Sequence, residues 1–471
     1  MNQRSNIGSQ IETRHGAGLS RVLIANRGEI ALRAVRVCRA KGLSSVAVYS
    51  EADSDAPHVW AADHSVCIGP AAATKSYLSP AALVHVARMT GCDAVYPGYG
   101  FLSENAEFAE LCAQNGLKFI GPSADAIRTM GDKSRAREVA SGLGVPVVPG
   151  SDGAFTDPAA AEAVAADVGF PMLLKAKSGG GGRGMRIVRE PETFRAQFLQ
   201  ASREAEAAFG DGGVYIERFF DAVRHIEIQV MGDGRGGAVA FDERDCSVQR
   251  RHQKLIEESP SPAVGPDLRA RLKEAALKLT QGIAYEGAGT IEFILDVASG
   301  AFFFIEMNTR IQVEHTVTEM RIGHDLIAMQ LDIAGGAPLD PALADHVGRG
   351  HAIEFRINAE DWKNGFMPSP GRLDEWLVPQ GEGIRLDTAV YRGQRISPFY
   401  DSMIAKLIVW GDTRDTALAR ARDVLDGCRV KGVETTIGFH RQLIDHEDFL
   451  QDRVHTRWIE NDMSLESLGG A

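Results

Sequence analysis

The segment GTIEFILDVASGAFFFIEMNTRIQVEH, residues 289–315, decides the fold of the second half of the chain. Polar and apolar side chains alternate in TIEFIL, the run FFFIEMN leads to Glu306 and Asn308, and Ala298–Gly300 lies between these two runs. This pattern predicts a β-hairpin that turns at Ala298–Gly300. The alternation continues to the end of the segment, so an unbroken strand would carry these polar side chains on one face: Glu306, Asn308, Arg310, Gln312 and Glu314.

The hairpin brings oxygen-bearing side chains together. Glu292 shares a face with Thr290 on the first strand, and Glu306 and Asn308 return on the second. Two carboxylates and an amide suit a hard divalent cation, and Mg²⁺ is the usual one beside nucleotides. The alternative is a half-exposed sheet with ordinary solvent-facing polar residues. Because the polar face continues through Arg310, a functional site is favoured over that alternative.

A second motif is the run GGGGRG at residues 179–184, between the strand-like segments PMLLKA and MRIV. A glycine loop between two strands predicts a flap whose bare backbone N–H groups can close over phosphates. Lys175, on the strand that enters the loop, is placed to reach a phosphate. A flexible linker is the alternative, although linkers usually have polar flanks. The run is not a Walker A loop, and the nearest approach to one, MGDKS at 130–134, is broken by Asp132.

Upstream of these motifs the chain alternates strand and helix. RVLIAN (21–26), a helical segment and SSVAVYS (44–50) form a βαβ unit, which implies a parallel sheet. The alternation continues to about Pro122, and residues 124–150 predict a helical connector, after which the strands are largely antiparallel. The first strand is followed by NRGE rather than GxGxxG, which gives little support to a dinucleotide site.

Composition narrows the class of protein. The chain has 471 residues, too many for a single hydrophobic core, and its net charge of −12 argues against general nucleic-acid binding. The six cysteines are scattered without CxxC spacing, which fits a reducing cytosol. No apolar run is long enough to cross a bilayer, so no membrane association is expected. Residues 1–20 lack the apolar centre of a signal peptide and predict a disordered leader, with a mitochondrial address as the alternative.

Three further segments carry polar side chains that could act on an anion. ERDCSVQRRHQK (243–254) concentrates basic residues, which predicts either a solvated turn or a cradle for phosphate or bicarbonate. RHIEIQV (224–230) and EFRINAED (354–361) each alternate, with His225 on one polar face and Arg356 on the other. A strand histidine or an arginine among carboxylates is more often structural, so these two segments do not decide a function by themselves.

Taken together, the motifs resemble biotin carboxylase, the ATP-grasp component of biotin-dependent carboxylases. The resemblance spans nearly the whole chain and rests on these segments: IANRGEIA (24–31), YPGYGFLSEN (96–105), KAKSGGGGRGMR (175–186), ERDCSVQRRHQK (243–254), IEMNTRIQVEH (305–315) and EFRINAED (354–361). It implies an α/β and α+β multidomain fold, with a Rossmann-like N-terminal domain, an ATP-grasp domain with a mobile glycine flap, and a mostly antiparallel C-terminal domain. The implied boundaries are a disordered leader at 1–19, the N-terminal domain at 20–122, a helical connector at 123–147, the flap domain at 148–220 and the C-terminal domain at 221–465.

The resemblance implies a ligase that joins bicarbonate to ATP, giving ADP and carboxyphosphate, and then carboxylates biotin. The residues implied for ATP binding are Lys133, Lys175, Gly179, Gly180, Gly181, Gly182, Gly184, Met185, Glu217, Arg218, His225, Gln249, His252, Glu292 and Glu306. Those implied for Mg²⁺ or Mn²⁺ are Glu292, Glu306 and Asn308, and those for bicarbonate are Arg310, Gln312 and the backbone of Val313. Biotin would meet Tyr99 and Arg356. The implied catalytic residues are Arg310, Arg356, Lys254 and Glu314, the base that deprotonates bicarbonate.

The resemblance also bears on partners. A biotin-accepting domain carries a lysine between methionines, and no MKM sequence occurs in the chain. We therefore expect the biotin carboxyl carrier protein and the carboxyltransferase to be separate chains. By resemblance we expect a cytoplasmic homodimer that serves an acyl-CoA carboxylase, with acetyl-CoA as the acceptor. Another ATP-grasp ligase and a non-catalytic ATP-binding subunit are the alternatives.

Two positions depart from the family pattern. Arg218 stands where lysine is common, and Thr316 stands where proline is usual after RIQVEH. The first departure affects nucleotide affinity only if the side chain makes the contact. The second could change the direction in which Glu314 points.

Overall fold

The computed structural model describes residues 18–177, 185–209, 211–344 and 346–463. The first strands are β1 (Arg21–Ile24), β2 (Ser44–Tyr49), β3 (His64–Cys67), β4 (Ala94–Tyr96) and β5 (Lys118–Phe119). The helices between and beside them are α1 (Gly28–Ala40), α2 (Pro57–Ala61), α3 (Pro80–Met89) and α4 (Ala106–Gln114). These strands form a five-stranded parallel sheet in the order β3-β2-β1-β4-β5, which confirms the predicted N-terminal α/β fold.

Successive residues of β1 enter different hydrophobic cores, which is why Val22, Leu23 and Ile24 are all apolar. Ile24 packs with Ile30 of α1 on one face of the sheet. Leu23 packs with Phe108 of α4 on the other face. The carboxyl end of β1 therefore brings the NRGE turn, residues 26–29, to the edge of the sheet, where ligands bind in open α/β sheets.

Two helices form the connector predicted from the sequence: α5 (Ala124–Gly131) and α6 (Lys133–Gly142). Asp132 separates them. Its carboxylate accepts hydrogen bonds from the backbone N–H groups of Ser134 and Arg135, at 2.9 and 3.0 Å, and so caps α6. The aspartate that breaks the Walker A pattern is therefore a helix cap, and Lys133 is the first residue of α6.

A small antiparallel sheet follows, with its own hydrophobic core. It contains β6 (Met172–Ala176), β7 (Met185–Val188) and β8 (Val214–Arg218) in the order β7-β6-β8, and α7 (Pro158–Val168) and α8 (Pro191–Phe209) pack against it. We call it the small sheet. Leu174 and Ile216 pack with Phe194 and Phe198 in its core. The glycine run predicted to form a flap, which includes Gly179, Gly180, Gly181, Gly182 and Gly184, lies outside the described residues.

The rest of the chain is mostly antiparallel β-structure. Its strands are β9 (Arg224–Asp233), β10 (Ala238–Arg250), β11 (Gln253–Ser259), β12 (Glu286–Asp296), β13 (Ala301–Asn308), β14 (His351–Asn358), β15 (Glu360–Asp361), β16 (Met367–Pro368), β17 (Gly371–Arg372), β18 (Glu375–Leu377), β19 (Ile384–Thr388), β20 (Arg395–Ile396), β21 (Met403–Gly411) and β22 (Arg429–Lys431). Eight of them form the large sheet, in the order β13-β12-β9-β10-β11-β14-β21-β19. Its helices are α9 (Pro266–Gly282), α10 (His315–Ile322), α11 (Leu326–Ala334), α12 (Arg414–Gly427), α13 (Ile437–Leu443), α14 (Glu447–Leu450) and α15 (Trp458–Asn461). Short 3₁₀ turns cover Glu51–Asp53, Ala73–Lys75, Pro341–Leu343 and Trp362–Asn364.

The predicted hairpin is confirmed. β12 and β13 pair antiparallel, and Asp296 lies opposite Ala301 on either side of the turn. Glu292 lies opposite Glu306, so the two carboxylates belong to neighbouring strands at the same level. Large apolar side chains such as Phe293 fill the opposite face of this hairpin and its core.

The prediction of one unbroken strand to the end of the 289–315 segment is wrong. β13 ends at Asn308, and α10 begins at His315. The chain leaves the sheet because the backbone N–H of Thr309 donates to the Glu104 carboxylate at 3.1 Å. Ile311 is then completely buried in a core that residues of α1 and α11 share with apolar residues of the large sheet. We call Glu306, Asn308, Arg310, Gln312 and Glu314 the polar strip. In the structure it covers the end of β13, a loop and the residue that precedes α10.

Within the described ranges, none of the helices has both the length and the apolar character that a membrane span requires.

Candidate active site

A cavity of about 690 Å³ lies between the carboxyl end of β1 and the polar face of the large sheet. Arg27, Glu29 and Phe101 line it from the N-terminal domain. The sequence-predicted residues that line it are Tyr99, His252, Lys254, Glu292, Glu306, Asn308, Arg310, Gln312, Val313, Glu314 and Arg356. The residues implied for metal, bicarbonate and biotin therefore meet in one place, although they come from different elements.

Lys254 of β11 organises the carboxylates beneath this cavity. Its ammonium lies 2.7 Å from Glu227, 2.6 Å from Glu314 and 3.2 Å from Glu292. Burial lowers the pKa of Lys254, but the surrounding anionic groups outweigh burial and raise it well above its usual value. One permanent cation therefore holds three carboxylates, and we call Glu227, Arg244, Lys254, Glu292 and Glu314 the floor cluster.

Arg244 of β10 and Glu227 of β9 are the members of the floor cluster that were not among the predicted site residues. The Arg244 guanidinium is completely buried and uses all its N–H groups on buried acceptors: Glu227, Gln229, Thr290, Gln312 and Thr318. The segment 243–254 was predicted to be a solvated turn or an anion cradle. Only its turn, at Arg251 and His252, has the positive φ of an exposed reversal. The feature that could have indicated the role of Arg244 is the long polar strand around it. Such a strand can be buried only if each of its polar side chains has a hydrogen-bond partner.

The residues implied for a metal lie where β12 and β13 meet. Oε1 of Glu292 accepts hydrogen bonds from Asn308 at 2.9 Å and from Gln312 at 2.8 Å. Glu306 lies opposite Glu292 and is partly exposed, and its only ion pair among the described residues, with Lys133, is 3.4 Å long. Two carboxylates and an amide oxygen at one corner of the cavity fit a Mg²⁺ ion, which prefers a few oxygen ligands and retained waters.

A second group that could hold a metal consists of His225, Glu227 and Glu292, whose ligand atoms lie within 4.8 Å of one another. Burial lowers the pKa of His225, but Glu292, with Oε2 at 3.2 Å, outweighs burial and raises it to about 9. A metal ion at this position would have to displace that proton and the ion pair with Glu292. Glu227 is already paired with Arg244 and Lys254. The pair of Glu292 and Glu306 is therefore the better metal site.

Arg310 and Gln312 lie on the loop between β13 and α10. Arg310 donates from Nε to Glu104 at 2.8 Å and from Nη2 to Asn308 at 3.0 Å. Gln312 accepts from Arg244 at 3.1 Å and donates to Glu292. Both side chains are thus held by fixed partners at the wall of the cavity. Glu104, which orients Arg310 and also binds the Thr309 backbone, was not found from the sequence, since it lies far away in the chain.

Glu314 immediately precedes α10 and is buried between two cations. It accepts hydrogen bonds from Lys254 at 2.6 Å and from Arg356 at 2.9 Å. Burial raises the pKa of Glu314, but Lys254, Arg356 and Arg244 outweigh burial and leave it below its usual value. Arg356 also donates to Glu257 at 2.6 Å. Glu314 is therefore an ionised carboxylate at neutral pH, as a general base must be.

The residues implied for the nucleotide are more dispersed. Lys175 of β6 pairs with Glu217 of β8, and both side chains are about one-third exposed. The Arg218 guanidinium is directed to the Val168 carbonyl oxygen at the end of α7, 3.4 Å away. Met185 begins β7 and is half exposed. The small sheet therefore carries Lys175 and Glu217 on a surface open to a ligand, while Arg218 contributes to packing of the small sheet.

Three nucleotide candidates belong to the large sheet. Gln249 is buried in β10 and donates to the Cys246 carbonyl oxygen at 3.2 Å. His252 lies in the turn between β10 and β11 and lines the cavity, whereas His225 lies behind Glu292. Gln249 and His225 thus support the wall of the cavity.

Three family models match consecutive parts of the chain. "Biotin carboxylase, N-terminal domain" matches residues 18–127, "Carbamoyl-phosphate synthase L chain, ATP binding domain" matches 132–342, and "Biotin carboxylase C-terminal domain" matches 354–461. Among curated relatives, the biotin carboxylase of Nostoc sp. is 52% identical over 440 residues, which cover 93% of this chain and 98% of the relative.

Solved structures agree with these matches. The biotin carboxylase of Campylobacter jejuni, solved as a β-γ-ATP complex, has a TM-score of 0.84 at 46% identity and covers 94% of this chain and 98% of its own. The biotin carboxylase domain dimer of the Hydrogenobacter thermophilus 2-oxoglutarate carboxylase was solved with MgADP, ADP and bicarbonate. It has a TM-score of 0.83 at 45% identity and covers 94% of this chain and 97% of its own.

Proposed function

The chain belongs to the biotin carboxylase family, and from that premise we propose that it carboxylates carrier-bound biotin with ATP and bicarbonate, through carboxyphosphate. The observation that carries this proposal is the position of Glu314, an ionised carboxylate between Lys254 and Arg356 at the wall of the cavity. Arg310 and Gln312, four and two residues earlier in the chain, line the same cavity. A base is thus placed beside groups that can hold a small planar anion.

We assign the deprotonation of bicarbonate, the first step, to Glu314. Bicarbonate is a weak nucleophile until it loses its remaining proton, so a base must lie next to its binding groups. We assign the binding to Arg310, whose planar guanidinium matches a planar anion, with Gln312 and the Val313 backbone. Lys254 and Arg356 stabilise the charged form of Glu314 before it takes the proton. The proton then neutralises a carboxylate that two cations hold in place.

Phosphoryl transfer from ATP needs positioning and neutralisation of charge. Lys133 and Lys175 carry partly exposed ammonium groups whose present partners are Glu306 and Glu217. Exposed ion pairs are weak, so these lysines can exchange a carboxylate for a phosphate at little cost. A Mg²⁺ or Mn²⁺ ion bound by Glu292, Glu306 and Asn308 would neutralise charge on the phosphates.

We assign the second step to the wall of the cavity that Arg356 and Tyr99 line. Biotin's ureido nitrogen becomes nucleophilic when negative charge moves onto the ureido oxygen, and a guanidinium nearby stabilises that charge. Arg356 is held by Glu257 and Glu314 and lines the cavity. The pKa of Arg356 is raised further, since burial, which lowers it, is outweighed by Glu257 and Glu314. Tyr99 lines the same wall and would contact the biotin ring.

We also propose the wider setting: a cytoplasmic homodimer that works with a biotin carboxyl carrier protein and a carboxyltransferase on separate chains, with acetyl-CoA as the final acceptor. The Nostoc relative supports a separate subunit, because this chain covers 98% of it. The Hydrogenobacter neighbour supports a dimer. That neighbour belongs to a 2-oxoglutarate carboxylase, so the acceptor needs its own test.

The direct test incubates the purified chain with ATP, Mg²⁺, radiolabelled bicarbonate and free biotin. We expect ADP release that depends on both bicarbonate and biotin, and acid-labile label on biotin. ADP release that biotin does not stimulate, with no labelled biotin, would indicate another ATP-grasp ligase and contradict the proposal. ATP binding without turnover would indicate a non-catalytic subunit.

The acceptor can be found from the partners. The chain is tagged in its native host, and biotinylated proteins that co-purify with it are identified and assayed for transfer of label to acetyl-CoA, propionyl-CoA, pyruvate and 2-oxoglutarate. Labelled malonyl-CoA would support acetyl-CoA as the acceptor. Transfer only to a keto acid would contradict it and leave the biotin carboxylation intact.

A further inference from the structure

Lys406 lies in the middle of β21, opposite Arg356 of β14 and Asp387 of β19. Its side chain is completely buried. A buried ammonium is costly unless its charge is compensated and its hydrogen bonds are satisfied. Lys406 has no part in the reaction steps assigned above, and it does not line the cavity, so its burial needs another reason.

The Lys406 ammonium holds two walls of the cavity at once. Nζ donates to the Val313 carbonyl oxygen at 3.0 Å and lies 3.1 Å from Oε1 of Glu29. Glu29 in turn accepts a hydrogen bond from the Tyr99 hydroxyl. Val313, Glu29 and Tyr99 all line the cavity. One buried cation therefore joins the loop assigned to bicarbonate with the wall assigned to biotin.

The hydrogen bond from Lys406 to the Val313 carbonyl restrains the next residue, the general base Glu314. The Val313 carbonyl belongs to the peptide unit that continues into Glu314. Because a peptide unit is planar, fixing its carbonyl also fixes its N–H and limits the directions in which the Glu314 side chain can point. A hydrogen bond from a charged donor is stronger than a neutral one, so this restraint is firm.

The need to neutralise Asp387 does not explain why Lys406 is buried. Arg385 donates to both oxygens of Asp387, at 2.9 and 2.6 Å, whereas Lys406 lies 3.9 Å away. Glu29 is the nearer carboxylate. Burial lowers the pKa of Lys406, but Glu29 and the other carboxylates outweigh burial and raise it, so the side chain is charged at neutral pH. The geometry thus favours Val313 and Glu29 as the partners that matter.

We propose that Lys406 is a positioning residue that couples the two substrate walls, aiming Glu314 through the Val313 peptide and Tyr99 through Glu29. This inference rests on the proposed function. If the link is lost, bicarbonate still reacts with ATP, but the carboxyphosphate formed is poorly aligned with biotin. It then breaks down to carbon dioxide and inorganic phosphate, so that ADP is released without carboxybiotin.

The test is the ratio of ADP to carboxybiotin in the Lys406→Met variant of the full chain, with radiolabelled bicarbonate and free biotin. Methionine keeps the length of the side chain and removes the charge. We expect the ratio to rise between roughly tenfold and a hundredfold, the range for losing a hydrogen bond to a charged group. The matched control is Lys273→Met on α9, where a half-buried lysine lies 3.7 Å from Asp242 and outside the cavity. The control should keep the ratio of the unmodified chain.

A second variant separates positioning from stability. Lys406→Met leaves the Glu29 charge without its cation and could prevent folding. Lys406→Met combined with Glu29→Gln removes both charges, and we expect it to recover thermal stability while the ratio stays raised, because the Val313 carbonyl still lacks its donor. A ratio that returns to the unmodified value in this double variant, or never rises in Lys406→Met, would overturn the inference. Absence of carboxybiotin from the unmodified chain would instead contradict the proposed function.

Discussion

The floor cluster and the small sheet hold their charges in opposite ways. Arg244 and Lys254 in the floor cluster are buried, and each meets several fixed acceptors. Lys175 and Arg186 in the small sheet have side chains that are 35% and 27% exposed, with surface partners. A buried ion pair is costly to break, whereas an exposed pair contributes little and can be exchanged for a ligand. The comparison suggests that the floor holds a fixed geometry, while the small sheet offers cations that a nucleotide can recruit.

The largest loss of stability should come from removing Arg244 from the floor cluster. Arg244→Met leaves Glu227 buried and removes every hydrogen bond that Arg244 makes, so we expect a loss of about 3–5 kcal/mol in the free energy of unfolding. Arg186→Met, which removes partly exposed contacts to Gln200 and Glu204, should cost less than about 1 kcal/mol. Urea unfolding followed by circular dichroism measures both. Equal losses in the two variants would contradict the difference between the buried floor cluster and the partly exposed small sheet.

The next effect separates chemistry from stability within the floor cluster. Glu314→Gln keeps the shape of the side chain, and Lys254 and Arg356 retain Glu227 and Glu257 as partners. Without a base, carboxybiotin formation should fall by roughly 10²–10⁴-fold, while the thermal midpoint stays near that of the unmodified chain. Glu204→Gln on α8 is the matched control and should change neither. Unchanged turnover in Glu314→Gln would remove Glu314 from the role of base.

A buried carboxylate, Glu258, lies on the other face of β11. Glu258 is buried against His351 and Arg414, and although burial raises its pKa, these partners lower it to about 2. The folded pKa is below the ordinary value of 4.5, so this stabilisation is complete above pH 4.5 and is lost as the pH falls toward 2. A shift of that size corresponds to about 3 kcal/mol. The difference in unfolding free energy between the unmodified chain and Glu258→Gln should therefore shrink over that pH range. A difference that stays constant with pH would contradict the assignment.

Part of this site could be read from the sequence. Alternation in residues 289–315 was enough to predict the hairpin and to place Glu292, Glu306 and Asn308 together. The strand was extended too far because the residue that ends it, Glu104, lies 205 positions away. Local periodicity carries no information about such a partner.

Two buried cations, Arg244 and Lys406, escaped prediction for the same reason. Arg244 and Lys406 each meet acceptors from several distant elements, and an isolated basic residue in a strand looks the same whether it faces solvent or a buried carboxylate. Burial of a charge is decided by what packs over it, which only the assembled fold shows.

A smaller effect is expected in the small sheet. Lys175→Met removes an ammonium whose partner Glu217 is about one-third exposed, so the unfolding free energy should change by less than about 1 kcal/mol. If Lys175 is recruited by a phosphate, the KM for ATP should rise by about tenfold, as expected for the loss of one charged hydrogen bond. Steady-state kinetics at saturating bicarbonate and biotin measure it. Lys177→Met, which loses an exposed contact with Asp211, is the neighbouring control. A large loss of stability in Lys175→Met would place this lysine with the floor cluster instead.

The smallest effect should come from Thr316, which follows the polar strip. Its hydroxyl donates to the buried Glu354 carboxyl group. Burial raises the pKa of Glu354 well above its usual value even though Lys406 lowers it. Thr316 lies in the first turn of α10, where proline is tolerated because backbone N–H groups have no partner within the helix.

Thr316→Pro and Thr316→Val both remove the hydroxyl, and only the first changes the backbone. If Lys254 and Arg356 hold Glu314 in place, each variant should keep carboxybiotin formation within about threefold and lose about 1 kcal/mol of stability, the typical value of one hydrogen bond. Turnover and thermal midpoints measure both. A tenfold loss of turnover in both variants would show that the hydroxyl, rather than the floor cluster, sets the direction of Glu314. A loss in Thr316→Pro alone would trace it to the backbone of α10. In either case the direction of Glu314 would depend on the start of α10 more than on its buried cations, and the contrast between a fixed floor and an adaptable surface would no longer hold.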